Sequence, residues 1–514
     1  MRYFTTLLLF LSGIGMLYAQ NCFPDGVMFN KQTQIDSFAQ AFPGCINILG
    51  SVKIDEFEGN PIVSLAGLAQ IKNIGGDLEI TNNKVLKNLS GLNNLKNLNG
   101  NCLIRGNDQL ESLEALVSLQ KIEGNLQIAN NNSLQNLNGL KKIKSINKFV
   151  FISTNNALNS LNGLDSLSVV KSVFRVHQNP ALSNFSGLQA LSKVGTLAID
   201  SNINLVHINA LAGLTQIEDT LRIRFCNALE QANFPALTNI GGDVIIRSNE
   251  QLTTINLGSV ASLSGSLEII KNKNLSNLTG LQNITGIGGD LTINNTAVQN
   301  LLGLSACSSI GGDLKVINNA SLTTLNGIQN INSIGGLLGI GENENLGSLN
   351  GISNAILLTD TLALYNNPIL ETLDGIANMN LAGLAYLMLQ SNDQLTVCNV
   401  PSVCQFIQNN AALTSISNND TQCNSIQQVV FKCTSSVDDP AKEPLALYPN
   451  PCSNQLWIRG VTDLFDVRVY NQLGQLIQRI DHLDTTDSID TQLLERGWYY
   501  LHSANGAVIS FSKI

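Results

Sequence analysis

From Leu78 onward an apolar strand start returns every 23 to 25 residues, at Leu78, Cys102, Leu126, Val150, Phe174, Leu197, Leu221, Val244, Leu267, Leu291, Leu314, Leu338, Leu362 and Leu387. Val52 opens one more copy, with a two-residue insertion before Leu78. The unit reads L-x-I-x-x-N-x-x-L-x-x-L-x-G-L, as at 78–92, and is often preceded by I-G-G. Such short apolar triplets cannot bury themselves alone. Each unit must stack on its neighbours, with strands of successive coils paired about 4.8 Å apart. The period therefore predicts an all-β solenoid of about fifteen coils, roughly 70 Å long.

Two columns within the repeat carry structural chemistry. Paired glycines at Gly75-Gly76, Gly241-Gly242, Gly288-Gly289, Gly311-Gly312 and Gly335-Gly336 stand at the corner before a strand, where a positive φ is expected. They lack the spacing and the following helix of a phosphate loop. Five residues after the strand start an asparagine recurs, at Asn83, Asn107, Asn131, Asn155, Asn179, Asn202, Asn249, Asn272, Asn319, Asn343, Asn367 and Asn392. Stacked amides can satisfy buried backbone groups of adjacent coils. Cys226 and Thr296 interrupt the column as small polar substitutes, and Cys102 and Cys307 fall in apolar columns, as inert core thiols.

Composition excludes several functions. A net charge of −9 disfavours nucleic acid as a partner. The four histidines are scattered and no C-x-x-C pair occurs, so no metal centre or cofactor is expected. Residues 1–19, with Arg2, an apolar run and Ala19 before Gln20, read as a secretory signal peptide. The residues before Cys22 lack the small side chains of a lipid-attachment site, and no later apolar run could span a membrane.

In an exported chain the cysteines at the two ends of the repeat read as disulfides that close exposed strand edges. Cys22 and Cys45 belong to an N-terminal cap at 20–51. Cys398, Cys404, Cys423 and Cys433 belong to a C-terminal cap at 398–433, after repeats over 52–397. Four cysteines allow three pairings. Proximity favours Cys398 with Cys404 and Cys423 with Cys433.

The entry at 45–54 and the repeated L-x-x-I-G-G-x-L-x-I-x-x-N-x-x-L units resemble the receptor L domain, the leucine-rich right-handed β-helix of growth-factor-receptor ectodomains. The array is longer than those domains. The resemblance implies an extracellular binding or adhesion scaffold, and nothing of receptor ligands carries over.

Residues 434–444 are polar and Pro-containing, as in a linker. Residues 445–514 lose the repeat and alternate instead, as at 465–470, with turn signals near Asn471 and Gly474 and at Asn505-Gly506. This predicts a small β-sandwich. The order Leu447-Tyr448-Pro449-Asn450-Pro451, Leu456-Trp457-Ile458, Val469-Tyr470-Asn471, Gly497-Trp498-Tyr499-Tyr500 and Phe511-Ser512-Lys513-Ile514 closely resembles the type A C-terminal sorting domain of the bacterial type IX secretion system. That implies the type IX machinery as a partner, and release to the medium or display on the outer surface. Cys452, directly after the Y-P-N-P segment, departs from the pattern as a lone thiol.

In each L-x-I triplet the second and fourth residues point outward. Those columns gather Arg175, His177, Asp200, Arg222, Arg224 and Arg247. Adjacent guanidinium forks on a rigid sheet could hold a carboxylate or sulfate of an acidic glycan. The other possibility is a solvated face on which Asp200 pairs with its Arg neighbours. Hydrolysis by paired carboxylates would need a second acid, which the cluster lacks. The expected function is a non-catalytic, adhesin-like scaffold for a glycan or protein, with a structural surface spacer, and after it a β-helix polysaccharide-degrading enzyme, as the alternatives.

Overall fold

The computed structural model describes residues 20–352, 356–435, 446–459, 465–483, 488–503 and 508–514. The expected signal peptide at 1–19, the turn at Asn505-Gly506 and most of the linker at 434–444 lie outside these residues. The chain divides into two compact units, Met1–Cys433 and Thr434–Ile514.

The first unit is built almost entirely of parallel strand pairs. Val52 aligns with Leu78, Leu78 with Cys102, Cys102 with Leu126 and Leu126 with Val150. The same register continues through Phe174, Leu197 and Leu221 to Leu362 and Leu387. A slip of one residue would turn every inward side chain out. Leu78 and Ile80, like Leu126 and Ile128, are fully buried, while Glu79 and Gln127 between them face outward. The leucines at three-residue spacing behind each strand, such as Leu86, Leu89, Leu92 and Leu95, are also fully buried. The core is thus one continuous set of aliphatic columns, the arrangement of a β-helix or solenoid.

The sheet extends one strand further at each end than the repeat predicts. Val27–Phe29 pairs with Val52–Asp55, and Thr414–Ser417 pairs with Tyr386–Gln390. The ends are also not purely β. Helix α1, Gln32–Ala41, buries Ile35 and Phe38 against the first coils. Helices α2, Pro401–Asn410, and α3, Ile426–Ser435, close the other end. Their apolar faces cover core that would otherwise meet water where the stack stops. Helix α3 also takes in Thr434 and Ser435, the first two residues of the expected linker.

Cys22 joins Cys45, with Cα atoms 5.6 Å apart. At the C-terminal end the neighbour-to-neighbour pairing is wrong. Cys398 joins Cys423, with Cα atoms 6.0 Å apart, and Cys404 joins Cys433, at 5.6 Å. The helices account for the difference. Cys404 sits on α2 and Cys433 on α3, so the bond ties one helix to the other across 29 residues of chain.

The paired corner glycines also differ from expectation, because none of them has a positive φ. Their need for glycine is one of space. A Cβ on Gly75 would stand 2.1 Å from the Leu49 carbonyl oxygen, and one on Gly241 2.0 Å from that of Glu218. At these glycines successive coils approach too closely for a Cβ, whereas the equivalent corners of other coils hold Asn99, Glu123 and Glu218. The left-handed conformation is found instead one residue before the asparagine column, at φ of 50–58° in residues such as Asn82, Asn130 and Asn366.

The asparagine column is a directional hydrogen-bond ladder. Asn107 Oδ1 accepts the Asn83 backbone N–H at 3.1 Å, and Asn107 Nδ2 donates to the Ile80 carbonyl at 2.9 Å. Asn131, Asn155 and Asn179 repeat both bonds one coil further on. Thr296 keeps its place by donating Oγ1 to Asn319 Oδ1 at 2.7 Å, and the Cys226 N–H donates to Asn249 Oδ1 at 3.0 Å. The ladder ends on Asn419, which accepts from Asn392 and donates to the Leu389 carbonyl. Asn419 lies five residues after Thr414, so the spacing rule would have found it had the last strand been recognised.

The second unit has two antiparallel sheets. One joins Ala446–Tyr448, Gln455–Arg459 and Ser488–Asp490, and the other joins Leu476–Leu483, Phe465–Asn471, Gly497–Ser503 and Val508–Lys513. The expected turn is present, with Gly474 N–H donating to the Asn471 carbonyl at 3.0 Å. Leu456, Val467, Val469, Ile489, Leu501 and Phe511 form its core, and Cys452 is buried among them as a free thiol.

Candidate functional site

The outward columns of the long sheet place the basic cluster by register alone. Arg175, Ala198 and Arg222 follow one another in one column, and His177, Asp200, Arg224 and Arg247 in the other. Asp200 therefore has Arg224 beside it and Arg175 and Arg222 on its two diagonals, within reach of long side chains. Ala198 stands between those diagonals and leaves room for the guanidinium groups to lie over Asp200.

They do so. Arg222 holds Asp200 with two bonds, Nε to Oδ1 at 3.2 Å and Nη2 to Oδ2 at 2.9 Å, and Arg224 Nε donates to Oδ1 at 2.9 Å. Arg175 Nε lies 3.3 Å from Oδ2, while its guanidinium stands 5.5 Å from the centre of the Phe151 ring, a cation–π distance. Asp200 is only 1% exposed, against 34%, 26% and 32% for the side chains of Arg175, Arg222 and Arg224. An outward position was expected to be solvated. The arginines fold over the carboxylate and bury it.

The electrostatics follow from this geometry. Burial alone would raise the Asp200 pKa, but the hydrogen bonds and charges of Arg222 and Arg224 outweigh it and hold the carboxyl below its usual range. Burial and then the charge of Arg175 push His177 below the ordinary imidazole value, and its buried Nδ1 has no hydrogen-bond partner. Arg247 does not join the group. Its Nη2 donates to Glu268 Oε2 at 2.7 Å. Glu268 and Phe151 belong to the same outward face, and neither is among the residues the sequence pattern gathers into the cluster. Their signal is positional, since Phe151 lies directly beside Arg175 in one outward column and Glu268 lies one strand on from Arg247, on its diagonal.

The cysteines of the repeat offer no reactive group here. Burial pushes the thiols of Cys102 and Cys226 up to about 12 and raises that of Cys307. Among the described residues no helix is long and apolar enough to cross a membrane.

A stack of parallel-strand coils with disulfide-bonded ends, followed by a separate antiparallel unit, defines a repeat-bearing protein with an independent C-terminal module. Residues 446–514 match the family model described as the secretion system C-terminal sorting domain. The tail is thus a type IX sorting domain, and the protein is exported to the cell surface or beyond. Comparison with curated proteins finds no match.

Proposed function

We propose that the repeat unit is a receptor-L-like β-helix of about fifteen coils that works as a non-catalytic, adhesin-like scaffold for an acidic glycan or protein. The observation that carries this reading is the gathering of three guanidinium groups on a single carboxylate. Two positive charges are left over on a rigid face of a chain whose net charge is −9. Each arginine stays partly exposed, so unused N–H donors point to solvent and can grip a carboxylate or sulfate with charge-assisted bonds. The tail supports the compartment in which such a ligand would be met.

Catalysis is disfavoured by the same geometry. Asp200 is held ionised under its arginines and cannot give up a proton as a general acid. Glu268, the nearest outward acid in sequence, is engaged by Arg247. The spacer reading has one observation in its favour, because Asp200 already supplies the cluster with an internal anion.

The two readings part on one experiment. Arg175→Gln leaves Arg222 and Arg224 on Asp200, so it should scarcely alter the melting temperature. It should weaken binding of the exported protein to sulfated or uronic-acid glycans about tenfold, the loss of one charge-assisted contact. The wild-type affinity should also fall as salt rises. Glycan binding that is absent in the wild type, or equal in the variant and insensitive to salt, would leave the spacer reading.

A further inference from the structure

A recess of about 330 Å³ opens on the outward sheet face near the N-terminal end of the stack. It is lined by Lys53 and Asp55 of one coil, Glu79, Thr81 and Asn82 of the next, Arg105 and Gly106 of the one after, and Asn130 beyond them. From Arg105 to Asp200 the outward column runs four strand steps, about 19 Å. The recess is therefore separate from the arginine cluster.

Gly106 makes the opening. It occupies the left-handed column at φ 68°, where the coils on either side have Asn82 at 58° and Asn130 at 55°. The backbone conformation therefore does not call for glycine. A Cβ at this position would stand 2.8 Å from Asn82 Oδ1 and would begin to fill the recess. Asn82 Nδ2 donates to Asp55 Oδ1 at 3.3 Å, but three other polar groups around the recess are unspent. Thr81 is only 4% exposed and its Oγ1 has no hydrogen-bond partner. Among the described residues the Glu79 and Arg105 side chains form no ion pair with each other or with any other group. Asp55, at the rim, is paired with Lys53 at 3.0 Å.

We propose that this recess binds a neutral sugar residue. A free carboxylate stands on one side, a free guanidinium on the other, and a buried hydroxyl lies between them. A polyanion would meet Glu79 and Asp55, and a polycation would meet Arg105 and Lys53. An apolar ligand would leave Thr81 and both charges unsatisfied. Adjacent hydroxyls of an uncharged sugar satisfy every group, because each hydroxyl donates to Glu79 or Thr81 and accepts from Arg105 or Asn130. The site does not depend on the arginine cluster. An extended glycan with acidic and neutral units could engage both.

The test is titration of the full exported chain with a panel of uncharged trisaccharides (glucose, mannose, galactose and N-acetylglucosamine types), followed by calorimetry or ligand-observed NMR. Binding of at least one is expected. Gly106→Asn uses the residue already tolerated at Asn82 and Asn130, so the fold should be kept, and it should lower affinity at least tenfold. Thr81→Val and Arg105→Gln should act in the same direction. No binding by any trisaccharide would overturn the proposal. So would binding unchanged in Gly106→Asn, or preferential binding of a zwitterionic control such as glycine betaine. Failure at this site would leave acidic-glycan binding at the arginine cluster untouched, and the reverse also holds.

Discussion

Asn155→Ala is expected to open the middle of the stack at a cost of about 3–5 kcal/mol, as two buried backbone groups lose partners at roughly 1–3 kcal/mol each and a small cavity is left. The Asn131 N–H loses its acceptor at 3.1 Å, and the Ile128 carbonyl loses the Nδ2 donor at 3.0 Å. Both groups lie in fully buried surroundings. Coils touch only their neighbours, so the damage should stay local. Hydrogen exchange should rise in the coils around Val150, and limited proteolysis should cut there, while coils near Leu314 keep wild-type protection. Unchanged exchange at Asn131 would mean that the ladder decorates the stack without holding it.

Asp200→Ala should cost about 3 kcal/mol. That is the lower end of the roughly 3–5 kcal/mol for breaking a buried ion pair from one side. The lower figure applies because the three arginines keep part of their surface in water and can turn outward. The acid response supplies a second readout. The folded pKa of Asp200 is depressed, so its stabilisation is complete above the ordinary carboxylate value of about 3.9 and is lost as pH falls through the folded value. His177 is also depressed, so its contribution is present above about 6.5 and is lost as pH falls through its own folded value. The wild type should therefore lose stability in acid, and Asp200→Ala should lose less of it below pH 4. Melting curves from pH 7 to pH 2.5 test this. Parallel pH profiles for the two proteins would remove Asp200 from the account.

Most of the fold can be read from residue order because one rule is applied over and over. Inward alternation at Leu78 and Ile80 and a fixed return to Cys102 and Ile104 leave a single register that buries every aliphatic column. The rule fails where the spacing does. The strands at Val27 and Thr414 lie outside the regular array, with helices inserted nearby, and the pairing of Cys404 with Cys433 depends on how α2 and α3 pack. The corner glycines are legible as glycines but not for their reason, because close approach between Gly75 and Leu49 is a property of two coils together. At the candidate site, the positions of Arg175, Asp200, Arg222 and Arg224 follow from the columns. The burial of Asp200 does not, because it needs the small Ala198 beside it and three long side chains folding the same way. The recess at Gly106 escapes sequence reading for a similar reason. Its signal is one missing side chain in a column whose left-handed backbone is seen only in three dimensions.

The directional asparagine ladder bears on how such a chain can change its length. Each asparagine rung from Asn107 onward receives from the coil before it and gives to that same coil's strand, so the units built on asparagine present the same socket and the same plug. Removing 126–149 would bring Val150 onto Cys102 with Asn155 in the place of Asn131. The sheet, ladder and core columns would all close again. A gene that gains or drops a whole unit thus lengthens or shortens its product by one strand spacing, and the distance between any two ligand contacts on the outer face becomes adjustable in fixed increments.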